Sequence, residues 1–309
     1  MAISKVLLLA LVAVCLGCGT DEEAPRPMKA EAPKPMKSFE GQTDVEFQVP
    51  GHGPQSMTIF KPDKATDLHR ALILIHGGGW VSGARHEMEP ICLFLSSRGF
   101  TAAAIDYTLA GPGSRWPAQL LDVQAAVRYV RSQATKLGID PKYIGAGGVS
   151  AGGHLSMWLG VTDAPVGGVS SRVQAVGSIS GVLDLTKPLT PVGEGYRIVQ
   201  KLLADDENPS IEQKRKASPV FLLTKDSPPV FLIQGKDDPW VPPNQSADTE
   251  VRLKGLGHPT TLLVVDGMGH GLDVSVPQQA KALDSMSKWF KATLVLRVAP
   301  PPVTHGDRL

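Results

Sequence analysis

Ser150 lies in the pentapeptide Gly148-Val149-Ser150-Ala151-Gly152, after a short, Gly-rich, strand-like run from Lys142 to Gly147 and before residues with helical spacing, Ala151 to Leu159. Gly-x-Ser-x-Gly between a strand and a helix predicts a nucleophile elbow, a strained turn that exposes a serine hydroxyl. Its small residues let backbones approach where a side chain would block them. In a chain with 32 glycines the pentapeptide alone fits a plain turn equally well. A serine nucleophile also needs a base to take its proton, an acid to orient that base, and N–H donors for the oxyanion. Three further segments supply those residue types.

The first is His76-Gly77-Gly78-Gly79-Trp80, at the end of the apolar run Ala71–Ile75, which reads as a buried parallel strand. Three glycines at a strand's end free backbone N–H groups to face a cavity, as a tetrahedral oxyanion requires. A phosphate loop is the alternative, but neither Gly-Lys-Ser/Thr nor Gly-x-Gly-x-x-Gly with a downstream acid is present. In the second segment, the apolar run Val230–Gln234 ends in Gly235 and is followed by Asp237 and Asp238. In the third, Thr260–Val265 leads into a loop with Gly267, Gly269, His270 and Gly271. Nucleophile, acid and base therefore follow in the order Ser, Asp, His, each just past the C-terminal end of a strand, where open α/β sheets build their sites.

On these motifs the chain resembles the serine esterases of the α/β-hydrolase superfamily, in the HGGG branch shared with hormone-sensitive-lipase-like carboxylesterases. The wording HGGGW-x-x-G, SAGGHL and SPV…PPVFLIQGKDDPWVP is most similar to small bacterial esterases grouped with acetylxylan and feruloyl esterases. The resemblance runs from about Val45 to Ala292 and departs at Gln234, where such enzymes often carry His before the glycine. It implies a Ser150–His270–Asp238 triad and an oxyanion hole built from the N–H groups of Ala151, Gly78 and Gly79. It also selects Asp238 over the adjacent Asp237 through the family pattern Gly-x-x-Asp. Gln234 is then structural, and Asp237 touches only the loop surface.

Of the other histidines, His258 precedes a strand and falls at the wrong end of the sheet. His76 and His154 are expected to brace the two glycine loops by hydrogen bonding, and His69 and His86 to lie on the surface. No cluster of His, Cys or Asp has metal-ligand spacing, so neither metal nor cofactor is implied.

The elements that must position these residues alternate. Val45–Val49 and Met57–Lys61 read as an antiparallel pair at the sheet edge. Strand Ala71–Ile75, helix Glu87–Arg98 and strand Thr101–Tyr107 follow. A helix from Pro117 to about Lys136 places Leu120, Val123, Val127 and Val130 on one face. After the elbow come strand Val173–Ile179, strand Val230–Gln234, helix Asn244–Leu256, strand Thr260–Val265 and helix Gln278–Ala292. Such alternation predicts an α/β fold with a mostly parallel central sheet and helices on both faces, and the resemblance implies the α/β-hydrolase fold with about eight strands. Residues 184–226 contain helical pieces and no strand, and are the one segment available to form a lid. Cys92 lies in an apolar helical stretch and reads as a small packing residue.

At 309 residues, 42% hydrophobic and 20% charged, the chain can bury one sizeable core, and residues 39–298 are expected to be a single catalytic domain. A net charge of +1 gives no reason to expect a nucleic-acid partner, and Lys214-Arg215-Lys216 reads as a solvated helix face. Lys5 followed by the apolar run Val6–Leu16 is too short to span a bilayer, which takes about 20 residues, and reads as a signal peptide over 1–18. Leu16-Gly17-Cys18 resembles a lipoprotein signal, which implies export and a lipid anchor on Cys18 as the sole membrane attachment. A protein released by plain cleavage to the periplasm or medium is the alternative. Residues 19–38 read as a Pro-rich disordered tether and 299–309 as a loose tail.

These readings lead to a serine carboxylesterase acting on short-acyl esters of a small molecule or polysaccharide. The alternatives are a peptidase or amidase with the same triad, and a non-catalytic binding protein on this fold. The sequence leaves oligomeric state open.

Overall fold

The computed structural model describes residues 41–189, 193–204 and 208–295. The expected signal peptide with Cys18, the tether and the tail lie outside the described residues. Eight strands form one sheet: β1 (Gln42–Val49), β2 (Gly53–Phe60), β3 (Arg70–Ile75), β4 (Phe100–Ile105), β5 (Ile144–Val149), β6 (Val176–Ile179), β7 (Val230–Gly235) and β8 (Thr260–Val265), in the order β1-β2-β4-β3-β5-β6-β7-β8. The pairs β1·β2 and β2·β4 are antiparallel, and β3·β4, β3·β5, β5·β6, β6·β7 and β7·β8 are parallel. The expected antiparallel pair thus stands at one edge of an otherwise parallel sheet.

Helices cover both faces, and the strands sort their side chains accordingly. Along β3, Ala71, Ile73 and Ile75 join the layer formed with α2 (Ala118–Ser132) and α4 (Ala151–Val161). Leu72 and Leu74 join the opposite layer, with α1 (Glu89–Ser96) and α8 (Pro277–Thr293). Period-2 alternation with both faces apolar is what makes β3 a continuous hydrophobic run. Leu120, Val123, Val127 and Val130 of α2 do share one buried face, and Cys92 is a buried packing residue in the α1 layer.

Boundaries shift where local chemistry intervenes. The helix expected from Glu87 begins as a 3-10 turn, Arg85–Met88, before α1 places Pro90 in its first turn, where its missing N–H costs nothing. The helix expected to run through Lys136 breaks at Gln133, and a separate turn, α3 (Ala134–Leu137), follows. Residues 184–226 hold α5 (Glu194–Leu203), α6 (Ile211–Lys216) and a 3-10 turn, Pro219–Leu222, with no strand among the described residues. A capping box starts α6: Ser210 Oγ accepts from the Gln213 N–H, and Gln213 Oε1 accepts from the Ser210 N–H. None of α6 is buried, so Lys214–Lys216 is a solvated face. By contrast, Val199, Leu202, Ala217, Val220 and Leu223 are buried among the α2 and α4 side chains, so this segment is part of the core wall. Helix α7 (Asn244–Gly255) connects β7 to β8 in the chain.

Candidate active site

The elbow is set by backbone contact between neighbouring strands. Ser150 joins β5 to α4 with φ 55° and ψ −116°, a conformation that L residues rarely adopt. A Cβ on Gly152 would fall 2.0 Å from the Ile75 carbonyl oxygen, and one on Gly148 would fall 2.4 Å from the Gly152 backbone. Both glycines are therefore required, because the turn presses on the end of β3, the strand that continues into His76–Trp80. The Ser150 N–H donates to Ile179 O (2.8 Å), which ties the elbow to β6 on its other side.

The glycine loop is held by its flanks. Gly78 O accepts from the N–H groups of Val81 and Ser82 (3.1 Å each) and from Ser82 Oγ (3.0 Å). His76 Nδ1 donates to Gly77 O at 2.9 Å, and the imidazole stacks on Tyr107 with centroids 4.2 Å apart. Tyr107 in turn donates its hydroxyl to Gly77 O at 3.0 Å. Burial lowers the His76 pKa, so the ring stays neutral with its proton on Nδ1. Among the described residues, no acceptor takes the N–H of Gly78, Gly79 or Ala151.

His154 braces a glycine loop by hydrogen bonding, and the loop it holds is that of His76–Trp80: it accepts from Trp80 Nε1 (3.2 Å) on Nδ1 and donates from Nε2 to Ala217 O (2.7 Å). The buried imidazole thereby joins the glycine loop to the 184–226 segment, and desolvation pushes its pKa down to about 4. Ile198 of α5 completes this wall: a Cβ on Gly79 would lie 2.8 Å from its methyl carbon.

Asp238 and His270 meet across the ends of β7 and β8. His270 Nδ1 lies 3.0 Å from Asp238 Oδ1 and 2.9 Å from Oδ2. Oδ1 also accepts from the N–H groups of Trp240 and Val241, both at 2.9 Å. Burial, the largest influence on Asp238, would raise its pKa. The His270 hydrogen bond and charge, with the Val241 and Trp240 amides, outweigh it and hold the carboxyl below the ordinary carboxylate value. Gly235 makes the meeting possible, since a Cβ there would fall 2.2 Å from Gly269 O.

Asp237 is not merely a surface residue, which corrects the sequence reading. Its Oδ2 accepts from the Gly267 N–H at 3.0 Å, and its own N–H donates to Met268 O at 3.1 Å. It therefore clasps the loop that carries His270.

Ser150 and His270 line one cavity of about 440 Å³, together with Gly77, Gly78, Glu87, Met88, Ile91, Leu272, Asp273 and Gln279. His270 turns Nδ1 to Asp238, which leaves Nε2 to serve the cavity. His258 stands at the start of β8, beside Lys142 and Arg172 in a separate cavity at the other end of the strands. His86 is exposed, and the His69 side chain is largely exposed.

Tyr107, which supports the glycine loop, was not picked out from the motifs, and Gln234, read there only as structural, donates to Asp238. For Gln234 a signal did exist, because a long polar side chain inside a buried strand needs a buried partner.

Together the sheet order, the elbow and the strand-end loops define an α/β-hydrolase. The family model BD-FAE matches residues 57–253, and the chain belongs to that family. It is 32% identical over 230 residues to Esterase LipC of Mycobacterium tuberculosis, a match that takes in 69% of this chain and 56% of LipC. The chain spans about half the length of the curated relatives it matches. Among solved structures, an acetyl ester-xyloside bifunctional hydrolase from Caldicellulosiruptor lactoaceticus superposes with a TM-score of 0.68 at 31% identity, covering 80% of this chain and 90% of that one. The butyrate-bound esterase 2 of Thermogutta terrifontis gives 0.68 at 25% identity, covering 84% and 97%.

Proposed function

We propose that the protein is a serine carboxylesterase that hydrolyses short-acyl esters through an acyl-enzyme, with Ser150 as nucleophile, His270 as base and Asp238 as its orienting acid. The observation that carries this reading is His270, held by the buried Asp238, opening onto the same cavity as an elbow serine. Ser150 Oγ attacks the acyl carbon and passes its proton to His270 Nε2. The N–H groups of Ala151, Gly78 and Gly79, which have no other described acceptor, receive the developing oxyanion. His270 returns the proton to the departing alcohol, then activates the water that frees the acid.

The cavity's composition supports a polyol ester, with acetylated polysaccharide as the class. Glu87, Asp273 and Gln279 line it with hydrogen-bond acceptors for hydroxyl groups, and among the described residues no Lys or Arg lines it to hold an anionic group. Its apolar wall is small, Met88, Ile91, Val149 and Leu272, so a chain beyond about four carbons gains little of the ~0.8 kcal/mol that each buried methylene is worth. A related hydrolase is named for acetyl esters and another holds butyrate, which agrees with a short acyl group.

A series of aryl esters of rising acyl length, run beside acetylated xylan, tests the reading. kcat/KM should peak at acetate to butyrate esters, and acetate should be released from acetylated xylan. A peak at acyl chains of about ten carbons or more would overturn the acyl assignment, and strong hydrolysis of peptide amides would make the protein a peptidase.

Export with lipidation of Cys18 is proposed on Lys5, the apolar run Val6–Leu16 and the Gly17-Cys18 junction. Expressed with its own leader in a bacterium, the protein should partition with membranes, and Cys18→Ser should abolish that partition. Soluble wild-type protein with a free amine at another N-terminal residue would refute it.

A further inference from the structure

Gln234 is the next-to-last residue of β7 and is fully buried, four positions before Asp238. Its amide nitrogen faces three oxygens: Val241 O at 3.1 Å, Gly235 O at 3.2 Å and Asp238 Oδ2 at 3.3 Å. Two of these are carbonyls and one belongs to a carboxylate whose four other contacts are all donors, so none can donate to Gln234. Nitrogen must therefore occupy that end of the amide, and the orientation follows from chemistry alone. At the other end, Ser246 Oγ of α7 donates to Gln234 Oε1 at 2.9 Å and locks the amide in place.

We propose that Gln234 is a positioning residue for the hydrolytic reaction, a non-titrating donor that holds Asp238 Oδ2 in the orientation from which the carboxylate serves His270. The proposal rests on the reading of Asp238 as the acid of the triad.

The division of labour on the carboxylate is uneven. Oδ1 is held by two loop amides as well as by His270, whereas Oδ2 has only Gln234 and His270 among the described residues. Without the amide donor, the plane of the carboxylate is fixed on one side only. The electron density on Oδ2 is then offered to His270 alone, which makes the imidazole more basic. A side chain of this length and polarity meets three acceptors and one hydroxyl without carrying charge, so the support it gives Asp238 does not vary with pH. The histidine often found here in similar enzymes can donate as well, but it titrates.

The test measures kcat, KM and the pH dependence of kcat on an aryl acetate, with thermal unfolding of each variant. Gln234→Met keeps the length of the side chain and removes the donor. Its kcat should fall about tenfold or more at neutral pH with KM nearly unchanged, as expected for a lost hydrogen bond to a charged group. The acidic limb of its profile should move to higher pH. Gln234→His restores a ring N–H and should recover most of the turnover. Ser246→Ala disturbs the same buried cluster but leaves the donor to Asp238, so it should lower the unfolding temperature and leave the acidic limb in place.

If Gln234→Met matches Ser246→Ala in turnover with an unmoved acidic limb, Gln234 is packing only and the proposal is wrong. Should the Met variant not fold, Gln234→Asn, which withdraws the amide by one methylene, gives the same comparison. Asp238→Asn separates the two readings. Wild-type turnover in that variant refutes the triad itself, whereas wild-type turnover in Gln234→Met beside an inactive Asp238→Asn refutes only this inference.

Discussion

Two His–Asp pairs in this protein are nearly identical when viewed alone. His270 Nδ1 lies 2.9 Å from Asp238 Oδ2, with the aspartate side chain fully buried and the histidine 24% exposed. His52 Nδ1 lies 2.9 Å from Asp122 Oδ1, again with a fully buried aspartate and a histidine 23% exposed. What differs is where the fold puts them. The first spans the C-terminal ends of β7 and β8 and opens on the cavity of Ser150. The second joins the β1–β2 turn to α2, where Asp122 also accepts from the Thr108 N–H (2.6 Å) and Gln55 Nε2 (3.4 Å). A histidine paired with a buried aspartate is thus no indicator of chemistry by itself. At the edge of the sheet it fastens a hairpin and a loop, and at the strand ends it can steer a proton.

The comparison breaks most sharply under mutation of the groups that distinguish the sites. Ser150→Ala should abolish ester hydrolysis without unfolding the protein, and an organophosphate should label Ser150 in the wild type, read by peptide mapping. Next in size, Asp238→Asn should lower kcat by about 10⁴, the cost of losing the orienting acid in a well-studied triad. Asp122→Asn should leave kcat within a few-fold and cost about 1–3 kcal/mol of stability, since a buried charge-assisted network is weakened there. Turnover on an aryl acetate and denaturant unfolding of both variants decide the matter, and equal losses of kcat would erase the distinction.

His154 sharpens the contrast between buried and half-exposed imidazoles. Its pKa falls from 6.5 to about 4 in the folded protein, so on acidification the unfolded chain takes up the proton first. Stability should therefore fall as pH drops from 6.5 towards 4, by on the order of 3 kcal/mol across the window. Chemical denaturation in the upper part of that range, above the carboxylate titrations, should show the slope, and His154→Gln should remove it.

The smallest effect concerns the other acid. Asp237→Asn keeps an acceptor for the Gly267 N–H and should change kcat little, whereas Asp237→Ala should lower it a few-fold by loosening the His270 loop. A loss from Asp237→Asn as great as that from Asp238→Asn would show that the acid is misassigned.

Much of this is legible in the sequence. Apolar runs such as Ala71–Ile75 and Val230–Ile233 mark strands buried on both faces, and the glycines at their ends mark loops that must pass close to other backbone. Those signals are local, so they yielded the sheet, the order of serine, acid and histidine at the strand ends, and the loop at Gly77–Gly79, whereas the family resemblance chose Asp238 over Asp237. They could not say that 184–226 packs into the core through Leu202 and Ala217, because its apolar residues are scattered in sequence and gathered only by folding.

Sequence alone therefore determined which residue types stand at the strand ends, because strand period, turn chemistry and motif spacing are written within a few residues of each other. Tertiary structure decided which of them meet. The Gly235 close approach, the Asp237 clasp and the separation of the two His–Asp pairs depend on contacts between segments distant in the chain. Hydrogen bonds act over about 3 Å, and no local pattern encodes which distant segments will come that close.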